Sequence, residues 1–506
     1  MQAIRTAPSG RAWRRGRIGV RLVLGGSMIA LVTACSAGGA SAKRTSSSVT
    51  RASSPSSTAV GGNSTSSSTI SPGPGGASTT SDWTVYHRDI GGSGAGPAGL
   101  NLSPVSVAWT SPALDGDLYG EPLVWNKTIY VATENDTVYA LSVSTGAVVW
   151  SRHLATPVPS DVLPCGNISP TVGITSTPVI DPGHKEIFTV ADEWVSGKAR
   201  HELYGLNATT GAVELSQSAD PVGAGTKAIL QRASLTLDGT NVVFGFGGNY
   251  GDCSTYHGWV ESVPETGGTA SFFKVDSGSG ETQGAIWMGG GAPVVNSSGD
   301  VWVAAGNGSI TSSSGRYDDS DSVLELSPSM KLMQYFAPSD WFSDNAKDYD
   351  LGSSVPAVLP NGLVVQAGKS QTAYLLKASS LGGIGGQLDD VTGICGNDVG
   401  GGIAFSGNTV YLPCENGLMA VATYPKTGTM RVLWQTSTGA GGPPILAGGF
   451  LWTISGGTLY ALSPKTGASE QRLSIGASAT DFPTPSVGDG LVLATSATQV
   501  HAFKGP

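Results

Sequence analysis

Charge, methionine and helix-forming periodicity are all scarce in this chain. Only 13% of its 506 residues are charged and 7 are Met. No stretch beyond the N-terminus sets Ala, Leu, Glu and Lys at the 3.6-residue period of a long helix, which excludes a helical bundle. Neither a Gly-x-Ser-x-Gly elbow nor an HExxH helix occurs, so two common hydrolase signatures are missing. No CxxC spacing exists among the 5 cysteines, and His257 is the one imidazole near them in sequence, which argues against a cysteine-built metal site. What the chain does have is 73 glycines, 39% hydrophobic residues and turn formers throughout, the profile of an all-β protein.

The first 34 residues read as an address. Arg5, Arg11, Arg14, Arg15, Arg17 and Arg21 form a basic segment, followed by an apolar run over 22–34 that is too short to remain as a membrane span. Without those arginines the rest carries 22 basic against 37 acidic side chains, a formal charge of −15, and so lacks the basic footprint a nucleic-acid partner requires. Residues 36–81 are almost wholly Ser, Thr, Gly, Ala and Pro with no aromatic to seed a core, which predicts a flexible tether. The globular part begins near Asp82.

Its organising stretch is IYVATENDTVYALSVSTGAVVW, residues 129–150. Apolar alternation predicts three strands, with one turn at Glu134-Asn135-Asp136 and another at Ser144-Thr145-Gly146. One such unit cannot bury its own faces, but stacked copies can. Eight copies are readable: 121–154, 175–215, 229–275, 285–327, 351–387, 400–436, 443–473 and 482–503. The last stops one strand short. VSVAWT, residues 105–110, is expected to supply the missing outer strand and close an eight-bladed β-propeller over 82–506.

Two resemblances follow from these residues. Leu31-Val32-Thr33-Ala34-Cys35 resembles a bacterial lipobox, which implies cleavage before Cys35, lipidation of that cysteine, and a head held on the extracytoplasmic side of the cell membrane. YALSVSTGAVVW, YGLNATTGAVEL and YALSPKTG resemble the PQQ-type propeller repeat, shared by quinone-dependent dehydrogenases and by the catalytically silent lipoprotein of outer-membrane protein assembly. With Cys35 spent on lipid, four cysteines remain, and an exported protein is expected to pair them. Of three pairings, Cys395 with Cys414 and Cys165 with Cys253 is favoured, because 19 residues span about one hairpin.

AIWMGGGAPVVNSSGDVWVAAGNGS and KDYDLGSSVPAVLPNGLVVQAGKSQTAYLL are similar to the matching stretches of quinoprotein alcohol dehydrogenases. The resemblance implies Trp287 as the aromatic floor under PQQ, Asn307 as a Ca²⁺ ligand, Asp350 as general base and further ligand, and Lys369 as a quinone contact. A flat quinone needs a stacking ring, a hard cation needs oxygens, and an alcohol needs a carboxylate to take its proton. Departures are plain: there is no Cys-Cys pair and no CxxCH segment, and Asp252 is the sole carboxylate near the turn where the family places a calcium-binding Glu. Two readings therefore stand. One is a monomeric, membrane-anchored, non-catalytic propeller that holds a protein or small-molecule ligand on one face and needs no cofactor. The alternative is a PQQ- and Ca²⁺-dependent alcohol or sugar dehydrogenase, which requires the four residues to meet at one mouth of the central channel.

Overall fold

A computed structural model describes residues 81–396, 398–437 and 439–506. The expected signal peptide, Cys35 and all but the last residue of the expected tether lie outside them. The described chain forms eight sheets of four or five strands arranged as an eight-bladed β-propeller, and a two-stranded ribbon, Val158–Pro159 with Thr171–Val172, in the connection from blade 1 to blade 2. Seven blades are continuous in sequence, at 123–153, 179–218, 229–274, 294–337, 357–392, 404–435 and 445–474. In the eighth, three strands from 486–504 are completed by Ser106–Thr110, which pairs antiparallel with Gln499–Lys504. The N-terminal strand thus closes the ring as the sequence predicts. Blade 4 adds a short parallel strand, Gly383–Ile384, from the link between the third and outer strands of blade 5.

The repeat motif explains how blades adhere. In blade 1, Thr128–Thr133 pairs with Thr137–Ser142, and Gly146 turns the chain into the outer strand Val148–His153 with φ +70°. That glycine lies flat against Trp109 of the preceding blade, where a Cβ would come within 2.3 Å of the indole. Gly211 meets Trp150 and Gly467 meets Trp434 in the same way. Each indole N–H also donates to a carbonyl of the next blade: Trp109 to Val143 at 2.9 Å, Trp150 to Ala208 at 3.2 Å, Trp434 to Pro464 at 3.0 Å. The Thr-Gly turn is a docking seat for a neighbour's tryptophan. Two disulfides are present: Cys165 to Cys253 joins two loops, and Cys395 to Cys414 joins a loop to the end of the strand Thr409–Cys414.

Before reaching its outer strand, the chain runs around the inside of the ring. Trp83 exchanges backbone hydrogen bonds with Val124 of blade 1, Thr84 accepts from Ile180 of blade 2, and Ile90 accepts from Val295 of blade 4. Ser93 and Gly94 then accept from Phe405 of blade 6 and Leu446 of blade 7. This inner strap satisfies free edges of the innermost strands that would otherwise face the channel. Tyr86 rises from it, bonding Thr484 at 3.1 Å, and a cavity of about 10 Å³ beside Tyr86, His87 and Val355 has room for roughly one water centre. The channel is filled at this end.

Candidate functional site

In each blade, the turn between the second and third strands shares a face with the connection to the next blade. On that face the sequence-predicted residues converge. Trp287 lies in the connection from blade 3 to blade 4, and Asn307 follows the second strand of blade 4, Val301–Ala305. Asp350 precedes blade 5, and Lys369 follows its second strand, Leu363–Ala367.

Two glycines make the approach possible. Gly306 and Gly368 occupy equivalent places in Ala-Gly-Asn and Ala-Gly-Lys, each one residue past a strand end. A Cβ on Gly306 would lie 2.4 Å from Asp350 Oδ1, and one on Gly368 would lie 2.3 Å from the Asp350 carbonyl. Asp350 is therefore wedged against both turns. Its Oδ1 accepts the Asn307 N–H at 2.7 Å, its Oδ2 pairs with the Lys369 ammonium, and its carbonyl accepts the Lys369 N–H at 3.0 Å. The same ammonium stands 5.6 Å from the centre of the Trp287 ring. A short helix, Trp341–Asn345, braces the loops from outside: Asn345 accepts the Gly308 N–H and donates to the Ile310 carbonyl.

The electrostatics follow from this packing. Burial alone would lower the Lys369 pKa, but Asp350 and Asp348 outweigh it and raise the value well above the ordinary one. Lys369 stays charged and serves as a fixed cation. Asp348 accepts from Asn307 Nδ2 at 2.7 Å and from Lys369 at 3.2 Å. Asn307 Oδ1 is buried without a hydrogen-bond partner. Asp252 stands at the rim of the same mouth, engaged by the Tyr256 hydroxyl at 2.7 Å. Partial burial raises its carboxyl, the Tyr256 hydroxyl opposes this, and the charges of Asp350 and Asp348 add to the rise.

Three participants escaped the sequence reading. Asp348 was legible as the first carboxylate of Asp348-Tyr349-Asp350. Phe482 comes from the blade 7 to blade 8 connection, across the channel, and meets Trp287 edge-on with ring centres 5.7 Å apart. Its φ of +55° is rare for an aromatic residue and carries local strain. Arg232, on the innermost strand of blade 3, donates to the Asp481 carbonyl at 3.1 Å and lies 6.0 Å from the Phe482 ring centre.

A planar, anionic cofactor with a hard cation fits much of this donor set. Trp287 offers the ring, Lys369 and Arg232 the positive charge, and Asn307 Oδ1 an orphaned oxygen with carboxylates beside it. Two features narrow the fit. Phe482 competes for the indole, and among the described residues the oxygens of Asp252, Asp348 and Asp350 are not all gathered within 4.8 Å of one another.

The blades and their docking turns define the class by fold: the described chain has the architecture of a PQQ-like β-propeller. The family profile described as outer membrane protein assembly factor BamB matches residues 101–318. Among solved structures, the chain is similar to the quinohemoprotein alcohol dehydrogenase ADHIIG of Pseudomonas putida HK5, at 14% identity and TM-score 0.64 over 84% of this chain and 80% of that one. A europium-containing methanol dehydrogenase aligns at 15% identity and TM-score 0.62 over 83% and 91%. BamB from Moraxella catarrhalis aligns at 14% and 0.51 over 79% and 98%. At such identities the likeness is one of fold. No curated protein sequence matches the chain.

Proposed function

We propose that the head binds a quinone cofactor with a calcium ion at the Trp287 mouth and oxidises an alcohol or sugar there. The observation that supports this most is the meeting of Trp287, Asn307, Asp350 and Lys369 on one face of the channel. PQQ with its cation would supply the hydride acceptor; the protein supplies the rest. Trp287 is the floor for the ring, and Asn307 Oδ1 is the oxygen left free for the cation. Asp350, oriented by two donors, takes the hydroxyl proton. Lys369 cannot act as base because it remains protonated, so it orients Asp350 and offsets negative charge. The inner strap fills the opposite end, which leaves this face as the route of entry. Reconstitution with PQQ and Ca²⁺, followed by bound-cofactor absorbance and dye-linked alcohol oxidation, tests the reading. Asp350→Asn is expected to lower the rate by ~10²–10⁴ while leaving cofactor affinity nearly unchanged, whereas Trp287→Ala weakens the affinity. If the purified head takes up no PQQ, the dehydrogenase reading is lost.

A second reading rests on Phe482, which already occupies Trp287 edge-on. A non-catalytic propeller would use the same face, through loops 311–319 and 340–350, to hold a protein or small-molecule ligand. In that case PQQ does not bind and Asp350→Asn is silent. Under either reading we propose that Cys35 carries the lipid that anchors the head outside the cytoplasm. Cys35→Ala should then release the protein into the soluble fraction with its thermal midpoint unchanged, and continued membrane partitioning would refute the anchor.

A further inference from the structure

The opposite face of the ring carries a second group of ligating side chains, where the first-to-second-strand turn of blade 2 meets the third-to-fourth-strand turn of blade 3. Asp181 ends the innermost strand Val179–Asp181 of blade 2, and His184 follows three residues later. Glu265 comes directly after the strand Trp259–Pro264 of blade 3. Their ligating atoms all lie within 4.8 Å of one another.

Each arm of the group is fixed by its own backbone. Asp181 Oδ1 accepts the Gly183 N–H at 2.7 Å, and the Glu265 N–H donates to the Thr240 carbonyl at 2.9 Å. Asp181 Oδ2 faces His184 Nδ1, and Glu265 Oε2 lies 3.5 Å from that nitrogen. The two carboxylate side chains are only 8% and 5% exposed, while His184 is 63% exposed. Glu265 Oε1 is buried and has no hydrogen-bond partner.

We infer that Asp181, His184 and Glu265 bind a first-row divalent cation, Zn²⁺ foremost, and that the bound ion clamps blade 2 to blade 3. The donor set selects the metal class. Hard Ca²⁺ and Mg²⁺ prefer all-oxygen sites, whereas one imidazole with two carboxylates suits Zn²⁺ and its neighbours and leaves a fourth position for water on the open His184 side. This site is independent of the Trp287 mouth, which lies on the other face.

The test uses the intact, disulfide-bonded head, stripped with chelator and titrated with Zn²⁺ by calorimetry, and with Co²⁺ as a visible-absorbance probe. One equivalent should bind, with tetrahedral Co²⁺ bands and a thermal midpoint that climbs with Zn²⁺ concentration. His184→Ala, at an exposed position, should keep the metal-free midpoint and lose more affinity than the roughly 10–100-fold that removal of an outer-shell partner costs. Glu265→Gln should do likewise, and Asp350→Asn should change nothing. Absence of saturable Zn²⁺ binding overturns the proposal, as does His184→Ala binding the ion as tightly as the parent.

Discussion

Several buried side chains hold protons at unusual pH, and they set how the head responds to acid and base. Burial pushes Glu134 up to about 8, Glu261 to about 8 and Asp276 to about 9, from ordinary values near 4. Between those limits the folded chain keeps protons that the unfolded chain has released, so stability is lost as pH rises through the window. His87 acts in the opposite direction. Burial pulls it down to about 3, so below its ordinary 6.5 the unfolded chain binds a proton the folded one refuses, and stability falls as pH drops. The thermal midpoint should therefore decline from mildly acidic to alkaline pH. Glu134→Gln keeps an oxygen for the Gly173 N–H, which Glu134 accepts at 2.7 Å. It should flatten that decline by more than the ~1.4 kcal/mol that one pKa unit represents. An unchanged slope would show that Glu134 is ionised in the fold. Phe482→Ala frees the indole edge it now occupies, and under the quinone reading it should tighten PQQ binding, as fluorescence quenching of Trp287 would report.

Strands and turns were the legible part of the molecule, because each is written by a local rule. Alternation gives the strands, and Thr-Gly gives the docking seat, since a neighbour's Trp leaves no room for a Cβ. Gly146→Ala should cost about 1–3 kcal/mol, from Trp109 overpacking and a positive φ, and calorimetry of the head checks it. Replacing Cys395 and Cys414 by Ser should lower the midpoint by about 2–4 kcal/mol in stability while circular dichroism shows the ring intact. Free thiols at both positions in the unreduced protein would contradict this. The candidate site was readable only through resemblance, since its residues come from four different turns. Trp287 differs from the docking tryptophans because it precedes an innermost strand instead of standing in an outer one. The inner strap was not readable at all. Its partners belong to five blades, so no spacing within residues 83–96 announces them. Phe482 escaped for the same reason, its contact with Trp287 existing only once the ring is closed.

At the scale of the whole ring, closure hangs on the pairing of Ser106–Thr110 with Gln499–Lys504, segments whose Thr110–His501 contact spans 391 residues. Removing residues 81–111 should leave Gln499–Lys504 as a bare edge, and the truncated head is expected to aggregate, as light scattering would show. A dispersed truncated head with the parent's midpoint would mean that seven blades suffice. The closing pair is antiparallel, with Ser106 opposite Lys504 and Thr110 opposite His501. The outermost register thus joins the strand's first residue to the chain's last strand residue. Force applied by drawing these two ends apart would load one rung at a time, as a zipper is opened, and not all rungs together in shear. The closing pair should yield at low force when pulled between Ser106 and Lys504, yet a chain held from its N-terminal side alone loads the strap's bonds to the inner strands and spares that zipper.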